Sequence, residues 1–147
     1  MMKMLFSAAL IVLAGSSAFA AELTPGNLIG RYRVEARAGF QKVYIKFRVI
    51  NTKEFELQRT YPNGNVDELC NGTYNLNPTL FWDDFALLAK GKTFKGTFTC
   101  PSNRSRVVTF NIDFQNKTTE DLARGTNVSV TSSMAPGMTL NAYVKKQ

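Results

Sequence analysis

CNGTYNL (Cys70–Leu76) and FKGTFTC (Phe94–Cys100) are near mirror images, and they hold the two cysteines of the chain. Written antiparallel with Cys70 opposite Cys100, they set Gly72 against Phe98, Tyr74 against Gly96 and Leu76 against Phe94. Each glycine then gains an aromatic neighbour that covers the space its missing side chain leaves. Asn63-Gly64 between alternating runs is a strong hairpin signal. Carried across that turn with Tyr61 opposite Val66, the same register sets Arg59 against Glu68, Leu57 against Cys70 and Phe55 against Gly72. One alignment thus serves three strands, and two cysteines that face each other predict a disulfide wherever the compartment is oxidising.

The first residues predict such a compartment. Lys3, the apolar run from Met4 to Ala14 and the small-residue site Ala18-Phe19-Ala20 describe a secretory signal cleaved near Ala20, leaving residues 21–147 as one exported domain, periplasmic or secreted. The apolar run is too short to span a bilayer, and no later stretch approaches the ~18 apolar residues that a spanning helix needs.

Away from this segment, alternation with period two dominates. RYRVEAR (31–37), KVYIKFRV (42–49), EFELQRTY (54–61), NVDELCNGTYNL (65–76), TFKGTFTC (93–100), VVTFNIDFQ (107–115), TNVSVTSS (126–133) and MTLNAYVK (138–145) read as eight strands. Short links between consecutive strands predict an all-β antiparallel meander, closed as an up-and-down barrel, with a β-sandwich as the alternative. Residues 77–92, NPTLFWDDFALLAKGK, interrupt the series. Asn77-Pro78 at one end and Lys90-Gly91 at the other suit a short helix over one barrel end. A second hairpin turning at Asp83-Asp84 is the alternative. TTEDLA, ended by Gly125, predicts one further helical turn.

Chemistry is constrained mostly by what is missing. The chain contains no histidine, which removes histidine-based triads and the usual zinc ligand sets, and no cofactor motif is present. The cysteines stand thirty positions apart rather than as Cys-x-x-Cys, so a structural staple is expected and not redox chemistry. Glu54 with Glu56, and Asp83 with Asp84, are carboxylate pairs of the kind that glycoside chemistry uses, but the glutamates fall on the face opposite Phe55 and Leu57 and the aspartates, if helical, point in different directions, so surface charge is expected of both. An enzyme is therefore the least favoured reading.

Two binding surfaces are expected. Arg31, Arg33 and Arg37 share one strand face with Lys42, Tyr44, Lys46 and Arg48 on the next, a basic stripe suited to polyanions. The formal charge of +7, or +6 once Lys3 is removed, agrees in sign. Its expected partners are an anionic envelope polymer, lipid headgroups or a protein, with nucleic acid disfavoured. The second surface is a barrel mouth where Arg59, Glu68, Tyr61 and Tyr74 would orient a small apolar ligand. The inward parity of Phe47, Phe55, Phe94, Phe98, Phe110 and Phe114 predicts that rings fill much of the interior, because eight strands enclose little more than their own side chains.

LIGRYRVEAR, a Gly-x-aromatic motif (Gly30, Tyr32) entering the first strand of a small secreted eight-strand pattern, resembles the calycins, the lipocalins and their relatives. Tyr32 stands where that family carries tryptophan, and Lys145 and Lys146 are the basic residues of the last strand. The resemblance implies an up-and-down barrel that often carries a small apolar ligand.

Overall fold

The computed structural model describes residues 21–147. The secretory-signal reading falls on residues 1–20, outside the described residues. Eight strands follow in order: β1 (Gly30–Ala38), β2 (Gln41–Val49), β3 (Glu54–Thr60), β4 (Cys70–Asp83), β5 (Ala86–Cys100), β6 (Asn103–Gln115), β7 (Thr126–Ser132) and β8 (Thr139–Lys146). Each pairs antiparallel with its sequence neighbour, and β8 pairs with β1 from Tyr32–Lys146 to Arg37–Asn141, which closes the barrel. Closure leaves no edge strand along the barrel wall.

The mirrored stretches pair as the sequence predicts: Gly72 faces Phe98, Tyr74 faces Gly96 and Leu76 faces Phe94, while Phe55 and Leu57 face Gly72 and Cys70. Cys70 and Cys100 are joined, with their Cα atoms 4.4 Å apart. A Cβ on Gly72 would lie 2.7 Å from Phe55 Cζ, and one on Gly96 would lie 2.6 Å from Phe110 Cζ. The two glycines therefore make room for rings arriving from other strands. Phe47, Phe55, Phe94 and Phe110 form a mutual cluster with centroids 5.3 to 6.4 Å apart, edge-to-face or offset-stacked as aromatic quadrupoles favour. Phe55 is wholly enclosed (0% exposed), and Phe98 packs on the cluster while keeping part of its surface open.

The closed end carries two short helices, α1 (Pro25–Leu28) and α2 (Thr119–Arg124), each with a reciprocal cap, Thr24 with Asn27 and Thr118 with Asp121. Gly125 ends α2 at φ 95°. The α2 turn was legible in TTEDLA; α1 was not anticipated, although Thr24-Pro25 is its signal. Leu23, Leu28 and Leu122 plug the barrel floor. Tyr32 donates its hydroxyl to the Leu28 carbonyl at 2.6 Å, and Lys146 Nζ donates to the Asn27 carbonyl at 3.1 Å while lying 5.8 Å from the Tyr32 ring centroid. Gly30, at φ 147°, leaves the space that the Lys146 stem occupies. Gly30, Tyr32 and Lys146 thus form one lock between the first and last strands.

Two expectations are corrected. Residues 77–92 form a hairpin and not a helix. β4 and β5 run on past the barrel floor, pairing Leu80–Ala89, Phe81–Leu88, Trp82–Leu87 and Asp83–Ala86 around a turn at Asp84 and Phe85. A helix would have had to bury its apolar face on the floor, and Leu23, Leu28 and Leu122 already fill that place. Beyond the Asn63-Gly64 turn, Thr60 rather than Tyr61 meets Val66, and β4 begins only at Cys70. Asp67 N donates to the Arg59 carbonyl in the space the alignment gave to Glu68.

Candidate functional site

The outer faces of β1 and β2 bring the predicted stripe together. Across that ladder Arg31 faces Arg48, Arg33 faces Lys46 and Arg37 faces Lys42, while Glu35 faces Tyr44. Closure adds β8 to the same face: Arg33 also faces Lys145, and Glu35 faces Tyr143. Lys145 and Tyr143 were missed in the sequence as members of this face, because only closure makes β8 a neighbour of β1. Residues directly opposed on one sheet face have Cβ atoms about 4.5–5.5 Å apart, and like charges so placed destabilise the sheet. The face repeats that arrangement four times. Among the described residues its ion pair is Arg48–Glu56, at 3.3 Å between β2 and β3. Arg31, Arg33, Arg37, Lys42 and Lys46 are exposed, and Tyr44 and Tyr143 lie half-buried among them.

The four residues expected at the barrel mouth are not brought together. Arg59 is exposed and lies over the Tyr61 ring, 4.8 Å from its centroid. Tyr61 donates its hydroxyl to Asp67 Oδ2 at 2.9 Å, and that bond holds the phenol proton and raises its pKa. Glu68 turns away from Arg59 to accept from the Ser102 backbone N–H at 2.9 Å and from the Ser102 hydroxyl, tying the β3–β4 loop to the β5–β6 turn. Tyr74 lies deeper, stacked on Phe94 with centroids 4.4 Å apart and donating to the Asn51 carbonyl at 2.9 Å near the closed end. Burial raises its pKa. The Arg59–Glu68 pairing fails because the backbone slips by one position beyond Leu57–Cys70 and presents Asp67 to Arg59 instead.

Other chemical groups are engaged structurally. Glu68 lies beside Cys70 and Cys100, but both sulfurs are spent in the disulfide and offer no thiolate to a metal. Glu54 accepts from Asn51 Nδ2 at 3.1 Å, and Glu56 is held by Arg48, both on the outer wall. At the open end, the inward-facing Val34, Ala36, Ile45, Leu57, Phe98 and Val130 are half-buried around the ring cluster. No helix among the described residues is long and apolar enough to cross a membrane. Comparison of the chain with protein-family models, with curated proteins and with solved structures finds no match.

Proposed function

We propose that this protein is an exported, non-enzymatic binding module that holds an anionic envelope component on the β8–β1–β2 face of its barrel. The observation that carries this reading is the fourfold juxtaposition of like charges on that face. Each pair opposes folding in isolation, and a bound polyanion would reverse the sign of its contribution by placing negative charge between the two cations. The rest of the outer wall follows the ordinary pattern, with Thr73 facing Thr97, Asn111 facing Thr131 and Ser129 facing Asn141. Tyr44 and Tyr143 flank Glu35 within the face and offer ring surface beside the cations.

A calycin-like carrier of a small apolar ligand is the second reading. It draws support from the Gly30–Tyr32–Lys146 lock and from the half-buried apolar residues at the open end. The ring cluster around Phe55 counts against it, since the centre of the barrel is occupied by the protein's own side chains.

Co-sedimentation with phosphatidylglycerol vesicles, and with a soluble polyphosphate as a non-lipid polyanion, tests the first reading. Binding should weaken with added salt, because free charges are screened beyond ~10 Å at 0.1 M. The triple reversal of Lys42, Lys46 and Arg48 to glutamate should abolish it with the circular dichroism spectrum unchanged. No binding to either polyanion at low salt, with saturable stabilisation by a fatty acid, would replace it with the carrier reading.

A further inference from the structure

Exposed apolar side chains gather on the loops at the open end of the barrel. An up-and-down meander sends its connections to alternate ends, and α2, between β6 and β7, lies at the closed one. The β1–β2, β3–β4, β5–β6 and β7–β8 connections therefore rim the open end. Beyond the Ala38–Gln41 pair, Gly39 turns the chain at φ 65° and leaves Phe40 fully exposed at the tip. On the neighbouring β7–β8 loop Met134 is 59% exposed and Met138 53%. None of these three side chains belongs to the core or packs against it. Their surroundings are basic. Arg37 faces Lys42 just behind the Phe40 turn, and Arg59 and Arg104 are exposed on strand ends along the same rim. The β7–β8 loop from Ser133 to Met138 carries no charged residue. The rim carboxylates Asp67 and Glu68 are occupied, one by the Tyr61 hydroxyl and the other by Ser102.

Charge and depth select the occupant. A second copy would set cation against cation, which opposes association. A soluble polyanion would engage Arg37 and Lys42 but leave Phe40 and the methionines in water. An anionic bilayer uses both features, because affinity for a membrane surface combines apolar area buried at the acyl boundary with attraction to anionic headgroups. Arg37 stands two residues before Gly39, so at about 3.4 Å per residue the Arg37–Lys42 pair lies roughly 7 Å behind the turn. The headgroup layer beside the hydrocarbon is about 5–8 Å thick, so Phe40 at the acyl boundary sets that pair at the level of the phosphates. The two loops also cap the β8–β1–β2 wall, and a barrel leaning on them turns the cations of that wall toward the headgroups. The β4–β5 hairpin at the other end is apolar as well, but Asp83 and Asp84 lie at its turn, and carboxylates that enter a bilayer first are costly.

We infer that the open end is a membrane-docking lip, with Phe40, Met134 and Met138 entering the acyl boundary of an anionic bilayer while Arg37 and Lys42 engage its phosphates. The inference rests on the basic-face reading and names the anionic component as a bilayer surface.

Co-sedimentation with phosphatidylglycerol vesicles, run beside binding of soluble polyphosphate, separates the lip from the basic face. Phe40→Ser with Met134→Ser and Met138→Ser should weaken vesicle binding more than about tenfold, or ~1.4 kcal/mol, and leave polyphosphate binding and the circular dichroism spectrum unchanged. A triple variant that binds vesicles as tightly as the parent overturns the lip and leaves the basic-face reading standing. Polyphosphate binding by the parent without vesicle binding does the same, and no binding of either probe overturns both. Fluorescence reads the depth. Trp82, the single tryptophan of the chain, lies beyond the closed end, so its emission should not change when vesicles are added. Phe40→Trp combined with Trp82→Phe should instead give a blue shift and quenching by spin-labelled lipid. A vesicle-induced shift of Trp82, or an unshifted emission from the Phe40→Trp variant, overturns the inference.

Discussion

Gly72 faces Phe98 across the β4–β5 ladder, and the space where a Cβ would stand at Gly72 is bounded by Phe98 Cβ at 2.8 Å, Phe55 Cζ at 2.7 Å and the Thr97 carbonyl oxygen. The glycine is thus a packing residue, and its substitution is predicted to act through the core. Gly72→Ala should destabilise the protein by about 1–3 kcal/mol through overpacking, whereas Gly39→Ala, with open space around the site, carries backbone strain alone. Phe55→Ala, at the centre of the same cluster, should cost about 3–5 kcal/mol as a cavity opens. Urea denaturation of the three variants ranks them.

The disulfide closes a loop with a sequence separation of 30 between its cysteines. Loop-closure entropy for that length gives about 3–4 kcal/mol. Intact mass after alkylation without reductant should show no modified thiol. Cys70→Ser with Cys100→Ser should lower the denaturation midpoint accordingly and raise the m-value, because the unfolded chain without the cross-link exposes more surface.

The basic face predicts opposite effects on stability and binding. Lys46→Glu places a carboxylate opposite Arg33, which turns a repulsive cross-strand pair into an attractive one and should add about 0.2–1 kcal/mol. The same change should weaken polyanion binding and reduce its salt dependence. A variant more stable and less active than the parent, measured by thermal denaturation and vesicle co-sedimentation, is the expected outcome.

Burial pushes the Tyr32 phenol well above its ordinary value, with Tyr74 adding to the shift. The neutral form is the folded form, so Tyr32 contributes its full stability below the unfolded tyrosine pKa of about 10. As pH rises through that value, the unfolded chain releases a proton that the folded one retains, and stability falls. Tyr32→Phe should remove that alkaline loss, and at neutral pH it should cost about 1–2 kcal/mol because the Leu28 carbonyl loses its donor. Denaturation midpoints between pH 8 and about pH 11 test both.

What the sequence disclosed divides along the range of the interactions. The Cys70–Leu76 and Phe94–Cys100 echo specifies a register because two glycines and two large rings fit in one alignment, and the basic stripe follows from alternation on two adjacent strands. Alternation says which way a side chain points but carries no information on distant partners, so Lys145 and Tyr143 joined the stripe only through closure. Leu80 to Leu88 was ambiguous for another reason. Its apolar residues satisfy helical and strand spacing alike, and the barrel floor that excludes a helix is built from Leu23, Leu28 and Leu122, remote in sequence. The mouth failed at Arg59 and Glu68 because a one-residue slip changes which side chain faces its neighbour.

The ladder between β1 and β8 also orders events in time. Every other pairing in the barrel joins strands adjacent in sequence, whereas Tyr32 must find Lys146 across almost the whole domain. Such a contact comes late, because its loop-closure entropy is met only after the intervening strands have shortened the effective loop. On a chain made from its N-terminus onward, β1 keeps one open edge until β8 appears, and the four like-charged pairs are incomplete until Lys145 reaches Arg33. The sealing strand therefore delivers the last cation of the basic face and the Lys146 bolt of the closed end in a single step.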